Sequence, residues 1–251
     1  MCLVALFFRV VEDAPVVVGA NREELYSRGG EPPRLLDGFC RAAAGIDPVA
    51  GGTWLGVNEH GLLVAVTNRP RTKSPPQPRS RGLLVRDLLA CPDVRAAVEL
   101  GSRELSGGRY AGCNVLCVNR EAAYVLHAGD RLRVQLLPSG LHVLTAADLD
   151  DPGDRRLGYA LEWLHQRGYQ TADDAVAALK DLCSQRGNGS PPICLRGEQG
   201  GTVSSSILAL RQPPAPSLYL HAQGPPDRTP YQDYSFLLEE LQKPTPCNGW
   251  A

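Results

Sequence analysis

The sequence predicts an α+β fold in which antiparallel strands are segregated from helices. Short β-branched runs bounded by Gly, Pro and Asn dominate the first 70 residues and recur later in the chain. Three other segments place apolar residues at helical spacing. Strands come first, then helices, then strands again, an order that suits layered α+β packing and not alternating βαβ units.

In chain order, Cys2–Val11 and Pro15–Ala20 predict a first hairpin turning at Glu12-Asp13-Ala14. Thr53–Asn58 and Leu62–Asn68 predict a second around Glu59-His60-Gly61. Leucine spacing over Leu83–Ala90 predicts a helix that continues through Asp93–Leu100. Cys113–Asn119, Ala122–Ala128, Leu132–Leu137 and Leu141–Thr145 read as a four-strand meander. Two helices follow: Leu157–Arg167, with Leu157, Leu161 and Leu164 on one face, and Asp173–Cys183, whose acidic start suits a helix N-terminus. Ser205–Leu210 and Ser217–Ala222 predict a last hairpin around Pro213-Pro214. The Pro- and Arg-rich stretch Arg69–Arg81 reads as an exposed loop whose charge could steer an anion, and Gln185–Gly201 as mobile. One domain is expected over residues 1–242, with 243–251 a disordered tail.

At 251 residues, 43% hydrophobic and 21% charged, the chain can bury a sizeable core. A net charge of −1 gives no reason to expect nucleic acid or an anionic membrane as partner. No apolar run approaches the roughly 20 residues that span a bilayer. The N-terminal apolar stretch lacks a basic leader and meets Arg9 and Glu12, so it reads as a strand and not a signal peptide. Eight scattered cysteines (Cys2, Cys40, Cys91, Cys113, Cys117, Cys183, Cys194, Cys247) show no paired metal or redox spacing. They read as reduced thiols in a cytoplasmic, unsecreted protein, with no metal implied.

Cys2 is the candidate with the most chemistry. Removal of Met1 would leave a thiol and a free α-amine on one residue, and that amine, with a pKa of about 8, can take the thiol proton. A residue carrying both nucleophile and base is an established catalytic arrangement. The competing reading is a small buried hydrophobe at the head of the apolar strand Cys2-Leu3-Val4-Ala5-Leu6-Phe7-Phe8.

Beyond Cys2, the chain carries Asn21-Arg22-Glu23-Glu24, Gly51-Gly52-Thr53-Trp54-Leu55-Gly56 and the strand end Thr67-Asn68. Tyr110-Ala111-Gly112-Cys113-Asn114, Leu149-Asp150-Asp151-Pro152 and Gly201-Thr202-Val203-Ser204-Ser205 follow. In order and spacing this resembles the NRDE family, the family of the transport and Golgi organization proteins. The resemblance implies a four-layer αββα, N-terminal-nucleophile hydrolase-like fold, with two antiparallel sheets packed between helices. It is also similar to the choloylglycine hydrolases, which cleave amides with an N-terminal cysteine. By that likeness Cys2 would be the nucleophile. Arg22 would border the thiolate and lower its pKa. Glu23, where the pattern usually has Asp, would hold the amine or the arginine. Asn68 would offer an amide to a developing oxyanion.

Two departures weaken that enzyme. Ala146 stands where such enzymes place a second oxyanion asparagine, and Val203 where the family usually has arginine. Losing one oxyanion donor typically costs about 100- to 1,000-fold in rate. Structural alternatives also stand: Arg22 and Glu23 as an ion pair at a strand end, Asn68 as a turn cap before Arg69-Pro70, Trp54 and Leu55 as core, and His60 as an exposed hairpin tip.

Two functions follow from the resemblance. The first is a factor in Golgi organisation and secretion that handles haem or an acyl-lipid in an inherited pocket, with Cys2 and His60 as axial candidates for haem. No cofactor is required, and haem is a candidate cargo only. Such a protein would be cytoplasmic, associated with Golgi or mitochondria. The alternative is a cysteine amidohydrolase cutting C–N amide bonds with Cys2. Ligand, organelle and oligomeric state are not written in the sequence.

Overall fold

The structure, a computed structural model, describes residues 2–36 and 40–243. Its first hairpin is β1 (Leu3–Val11) and β2 (Ala14–Leu25). After a 3-10 turn at Tyr26–Arg28 come β3 (Glu31–Leu36), β4 (Ala42–Ile46), β5 (Leu55–Asn58) and β6 (Leu63–Asn68). Helices α1 (Arg81–Leu89) and α2 (Val94–Ser106) lead to β7 (Cys113–Val118), β8 (Ala123–Ala128), β9 (Leu132–Leu136) and β10 (Gly140–Leu144). Then come α3 (Arg155–His165), α4 (Ala172–Ser184), β11 (Gly200–Leu210), β12 (Leu218–Ala222), β13 (Gln232–Asp233) and α5 (Phe236–Gln242).

Among the described residues, the strands form two antiparallel sheets, ordered β10-β1-β2-β11-β12-β13 and β3-β4-β5-β6-β7-β8-β9. Side chains alternate between faces along a strand, so β1 is apolar on both sides. Val4, Leu6 and Phe8 pack between the sheets with Leu63, Ala65 and Leu116. Leu3, Ala5 and Phe7 pack outward against Leu157, Leu164, Leu179 and Leu182 of α3 and α4. On the other side Val64, Val115 and Cys117 meet Leu84, Leu88 and Ala97 of α1 and α2. Each fully buried Leu or Phe contributes about 1.5–3 kcal/mol. The result is helices, sheet, sheet, helices, as the resemblance implies.

Helix starts are dictated locally. Asp93 caps α2 through Arg95 and Ala96, and Asp154 caps α3 through Arg156 and Leu157. Thr171 and Asp174 form a reciprocal capping box on α4. The single helix expected over 83–100 is two, because Pro92 interrupts the backbone ladder and Asp93 restarts it. α4 reaches β2 through Gly19, where a β-carbon would lie 2.9 Å from Leu179.

Other expectations need correction. The four-strand meander stops at β9; β10 crosses to the first sheet and pairs with β1. β2 continues five residues beyond Ala20, so the Asn21–Leu25 segment lies inside a strand and not after it. β3, β4 and α5 were not expected. Gln185–Gly201 is pinned by Ile193 and Cys194 amides donating to the Gln185 carbonyl, and both residues are buried. The arginines of Arg69–Arg81 are largely spent internally, Arg69 on Asp148, Arg71 on the Tyr110 carbonyl and Arg79 on Asp87. The tail expected over 243–251 lies outside the described residues apart from Lys243.

A buried polar network ties the sheets together. Asn114 of β7 donates to the carbonyls of Thr145 (3.0 Å) and Ala147 (2.9 Å), beyond the end of β10. Its oxygen lies 2.9 Å from His127 Nδ1. Burial, and then the charge of Arg133, hold His127 down at about 4. The unfolded chain therefore takes a proton near pH 6.5 that the folded chain refuses until about 4, so stability falls as pH drops through that window. Urea unfolding should lose up to about 3 kcal/mol across it through this group, and His127→Gln should flatten the profile by a similar amount.

Candidate active site

Cys2 stands at the head of β1, 7% exposed. The β1–β2 register sets Leu3 opposite Asn21, so one residue further Cys2 faces Arg22. The β1–β10 pairing ends with Val4 opposite Leu144, and Ala146 lies two residues beyond it, in the bend that follows β10. Alternation puts Cys2 on the face of Val4 and Arg22 on the face of Ala20, both between the sheets. The Cys2 thiol points to the Glu23 carbonyl at 3.9 Å.

Glu23 turns to the opposite face, toward the helices. Its carboxylate takes a 2.8 Å ion pair from Arg156 of α3 and a 3.3 Å hydrogen bond from the Thr202 hydroxyl. Arg156 also donates to the Pro192 and Ile193 carbonyls. Arg22 and Glu23 are therefore not partners, because adjacent strand residues face opposite ways. Arg22 instead donates to the Gly29 carbonyl and lies 4.0 Å from Glu24.

The electrostatics differ from the expectation. Burial pushes the Cys2 thiol up to about 11, and the Glu23 charge adds to this. The Glu23 carbonyl hydrogen bond, the amino-terminal charge and Arg22 pull downward and lose. Arg22 does act in the expected direction, but desolvation outweighs it, so the group is a thiol at neutral pH. Burial likewise raises the Glu23 carboxyl, against the charge and hydrogen bond of Arg156.

Arg156 is the residue missed by sequence reasoning. Val203, at the β11 bulge between Thr202 and Ser204, brings no charge, and Arg156 supplies one from 133 residues away from Glu23. Asp154-Arg155-Arg156 before an apolar helix signalled a cap, not a partner. The cap is itself anchored: Asp154 accepts from the Thr145 hydroxyl at 2.6 Å. Upstream, His142 holds Asp150 at 2.7 Å, and Asp150 accepts from the Val143 amide. Burial pulls His142 down, but Asp150 and the Pro138 carbonyl outweigh it and raise the group above its usual range.

The other expected residues lie elsewhere. Asn68 is exposed at the end of β6, on the helix-covered face of Val64 and Val66, while Thr67 faces between the sheets and donates to the Thr145 carbonyl. Trp54 packs against the core and Leu55 is buried in it. Gly52 serves packing, since its β-carbon would lie 2.3 Å from the Gly82 backbone, whereas Gly51 takes a positive φ of 68° in open space. His60 is exposed in the β5–β6 turn and, with Pro15, lines a cavity of about 780 Å³. Pro15 and Glu23 are eight residues apart on β2, about 26 Å at roughly 3.3 Å per residue. Cys2 and His60 thus sit toward opposite ends of the sandwich and cannot ligate one iron together. A smaller recess, about 450 Å³, reaches Glu23, Glu24 and Arg196. The larger cavity is remote from Cys2.

The family model for Transport and Golgi organisation 2 matches residues 1–202. The Transport and Golgi organization protein 2 homolog of Homo sapiens is 29% identical over 210 residues, covering 77% of this chain and 74% of that protein. Among solved structures, penicillin V acylase from Agrobacterium tumefaciens is similar with a TM-score of 0.58 at 13% identity, covering 97% of this chain and 89% of that one. The N-acylethanolamine-hydrolyzing acid amidase ortholog of Caenorhabditis elegans gives 0.57 at 14% identity, covering 85% and 94%. These likenesses show an N-terminal-nucleophile hydrolase-like fold.

Removing Arg156 takes an ion-pair partner from a buried carboxylate, which typically costs about 3–5 kcal/mol. Glu23 would then titrate higher still. A folded-state pKa above the unfolded one gives stability that is lost as pH rises through it. The urea-unfolding deficit of Arg156→Ala should therefore be larger at pH 8 than at pH 5, and adding Glu23→Gln should remove that pH dependence.

Proposed function

The chain belongs to the Transport and Golgi organisation 2 family, and we propose that it serves Golgi organisation and secretion by binding an apolar acyl or haem ligand in a hydrolase-type pocket whose amide chemistry is attenuated. The observation that carries this reading is the environment of Cys2. Burial pushes the Cys2 thiol up in the chain that carries Met1, and Ala146 stands where such enzymes place a second oxyanion asparagine. An oxyanion would find a methyl group there. The missing donor alone is worth about 100- to 1,000-fold in rate. A binding role would use the recess of about 450 Å³ at this end, where Leu25, Pro192 and Leu195 supply apolar walls and Glu23 and Arg196 polar anchors, the mix such ligands require. An acyl chain suits the site better than haem, because Cys2 and His60 do not converge. The reading includes a cytoplasmic location at Golgi or mitochondrial surfaces, supported by cysteines without disulfide spacing.

One observation favours a second reading, a cysteine amidohydrolase. The Glu23 carboxylate is held by Arg156 and Thr202, and in this reading it would steady an α-amine on Cys2 once Met1 is removed. In that reaction the Cys2 sulfur attacks the acyl carbon, its proton passes to the amine and then to the leaving nitrogen, and water releases the acid.

Native and intact mass spectrometry of protein taken from cells, with N-acyl amide turnover measured alongside, separates the two. The binding reading expects a co-purifying apolar ligand that Cys2→Ala retains, and turnover no higher in the wild type than in Cys2→Ala. Loss of Met1 together with Cys2-dependent turnover would replace it with the amidohydrolase.

A further inference from the structure

The β5–β6 turn carries a chemistry that the Cys2 site does not use. β4 and β5 pair with Ala42 opposite Asn58, and two residues further this register sets Cys40 opposite His60. The Cys40 sulfur, a Glu59 carboxylate oxygen and a His60 ring nitrogen lie within 4.8 Å of one another. We propose that Cys40, Glu59 and His60 form a binding site for a Zn²⁺-class cation, with a fourth coordination position open to water or a ligand atom.

The donor set is the one zinc takes: thiolate, imidazole and carboxylate. Tetrahedral bonds of about 2.0–2.3 Å put donors roughly 3.5 Å apart, so closure needs shifts of only about an ångström. His60 can make them, because it is exposed and, among the described residues, no hydrogen bond engages its ring. Cys40 is buried, and its thiol donates to the Ala90 carbonyl at 3.2 Å. Binding breaks the Cys40 S–H bond, forms a sulfur–metal bond and releases the proton to water.

The frame behind the three ligands is already built. Buried Asn58 donates to the Leu89 and Cys91 carbonyls at 3.0 and 2.8 Å, and its oxygen accepts from the His60 and Leu62 amides, each at 3.0 Å. One side chain thus fixes the turn carrying His60 against the end of α1 that Cys40 touches. Glu59 is oriented by the Arg41 amide at 2.9 Å and its Nε at 3.2 Å, the kind of outer hold that metal-ligating carboxylates have. The thiolate and imidazole donors favour Zn²⁺ over hard cations such as Ca²⁺, which take oxygen ligands. Glu59 and His60 line the 780 Å³ cavity, so the open position faces it. The site lies at the far end of the sandwich from Cys2 and stands or falls independently of the reading above.

The full chain, stripped with a chelator, is titrated with Zn²⁺ against a chromophoric competitor, and separately with Co²⁺ as a spectral probe. One equivalent of Zn²⁺ is expected, tighter as pH rises, together with a sulfur-to-cobalt charge-transfer band. His60→Ala and Cys40→Ser should each weaken binding by more than the roughly 10- to 100-fold that an outer-sphere change costs. His60 is at an exposed turn tip, so its replacement leaves the core intact, and unchanged urea midpoints in chelator confirm folding. Absence of stoichiometric binding, or wild-type affinity in either variant, overturns the site.

Discussion

The buried contact between Glu23 and Arg156 is the constraint on which the Cys2 end of the molecule depends. It joins the strand beside Cys2 to α3, and an isolated carboxylate there would carry a heavy desolvation penalty. Arg156 can reach it only because Asp154 caps α3, Thr145 holds Asp154, and His142 and Asp150 fix the turn after β10. The connection that follows β10 therefore carries both the cap that aims Arg156 and Ala146, a buried apolar residue.

The two ends of the sandwich have separated chemistry. At one end lie Cys2, Arg22, Glu23 and Arg156; at the other lie Glu59, His60 and the larger cavity. β1 and β2 run between them, and their stretches Leu3–Phe8 and Val16–Ala20 are apolar on both faces. Desolvation follows from this architecture. A cysteine that opens a fully buried strand is solvated poorly at its own position, and one arginine across the strand pair does not reverse that.

Much of the fold was legible because its signals are local. Alternating and continuous apolar runs located β1, β6, β7 and β8, and the acidic start at Asp173 marked the head of α4. The failures were those of partner choice. Leu141–Thr145 reads as the next strand of a meander, but nothing local says that it pairs with β1 and not β9. Ala42–Ile46 carries no local strand signal, because alanine and glycine are weak strand formers, and pairing with β5 overrides that preference. At the site, Cys2 and Glu23 were readable from motif order. Arg156 was not, since its partner lies 133 residues away, and neither was the approach of Cys40 to His60, which strand register alone creates.

By itself the sequence determined the layered α+β class, the family likeness, the placement of Cys2 at the head of a buried strand, and the loss of polar groups at Ala146 and Val203. These depend on residue type, spacing and local propensity. Only the tertiary structure decided that Arg22 and Glu23 face opposite ways, that Arg156 neutralises Glu23, that the Cys2 thiol stays protonated, and that Cys2 and His60 lie apart. Those facts depend on which strands pair and how deeply each group is buried, and desolvation and charge pairing act through space without regard to position in the chain.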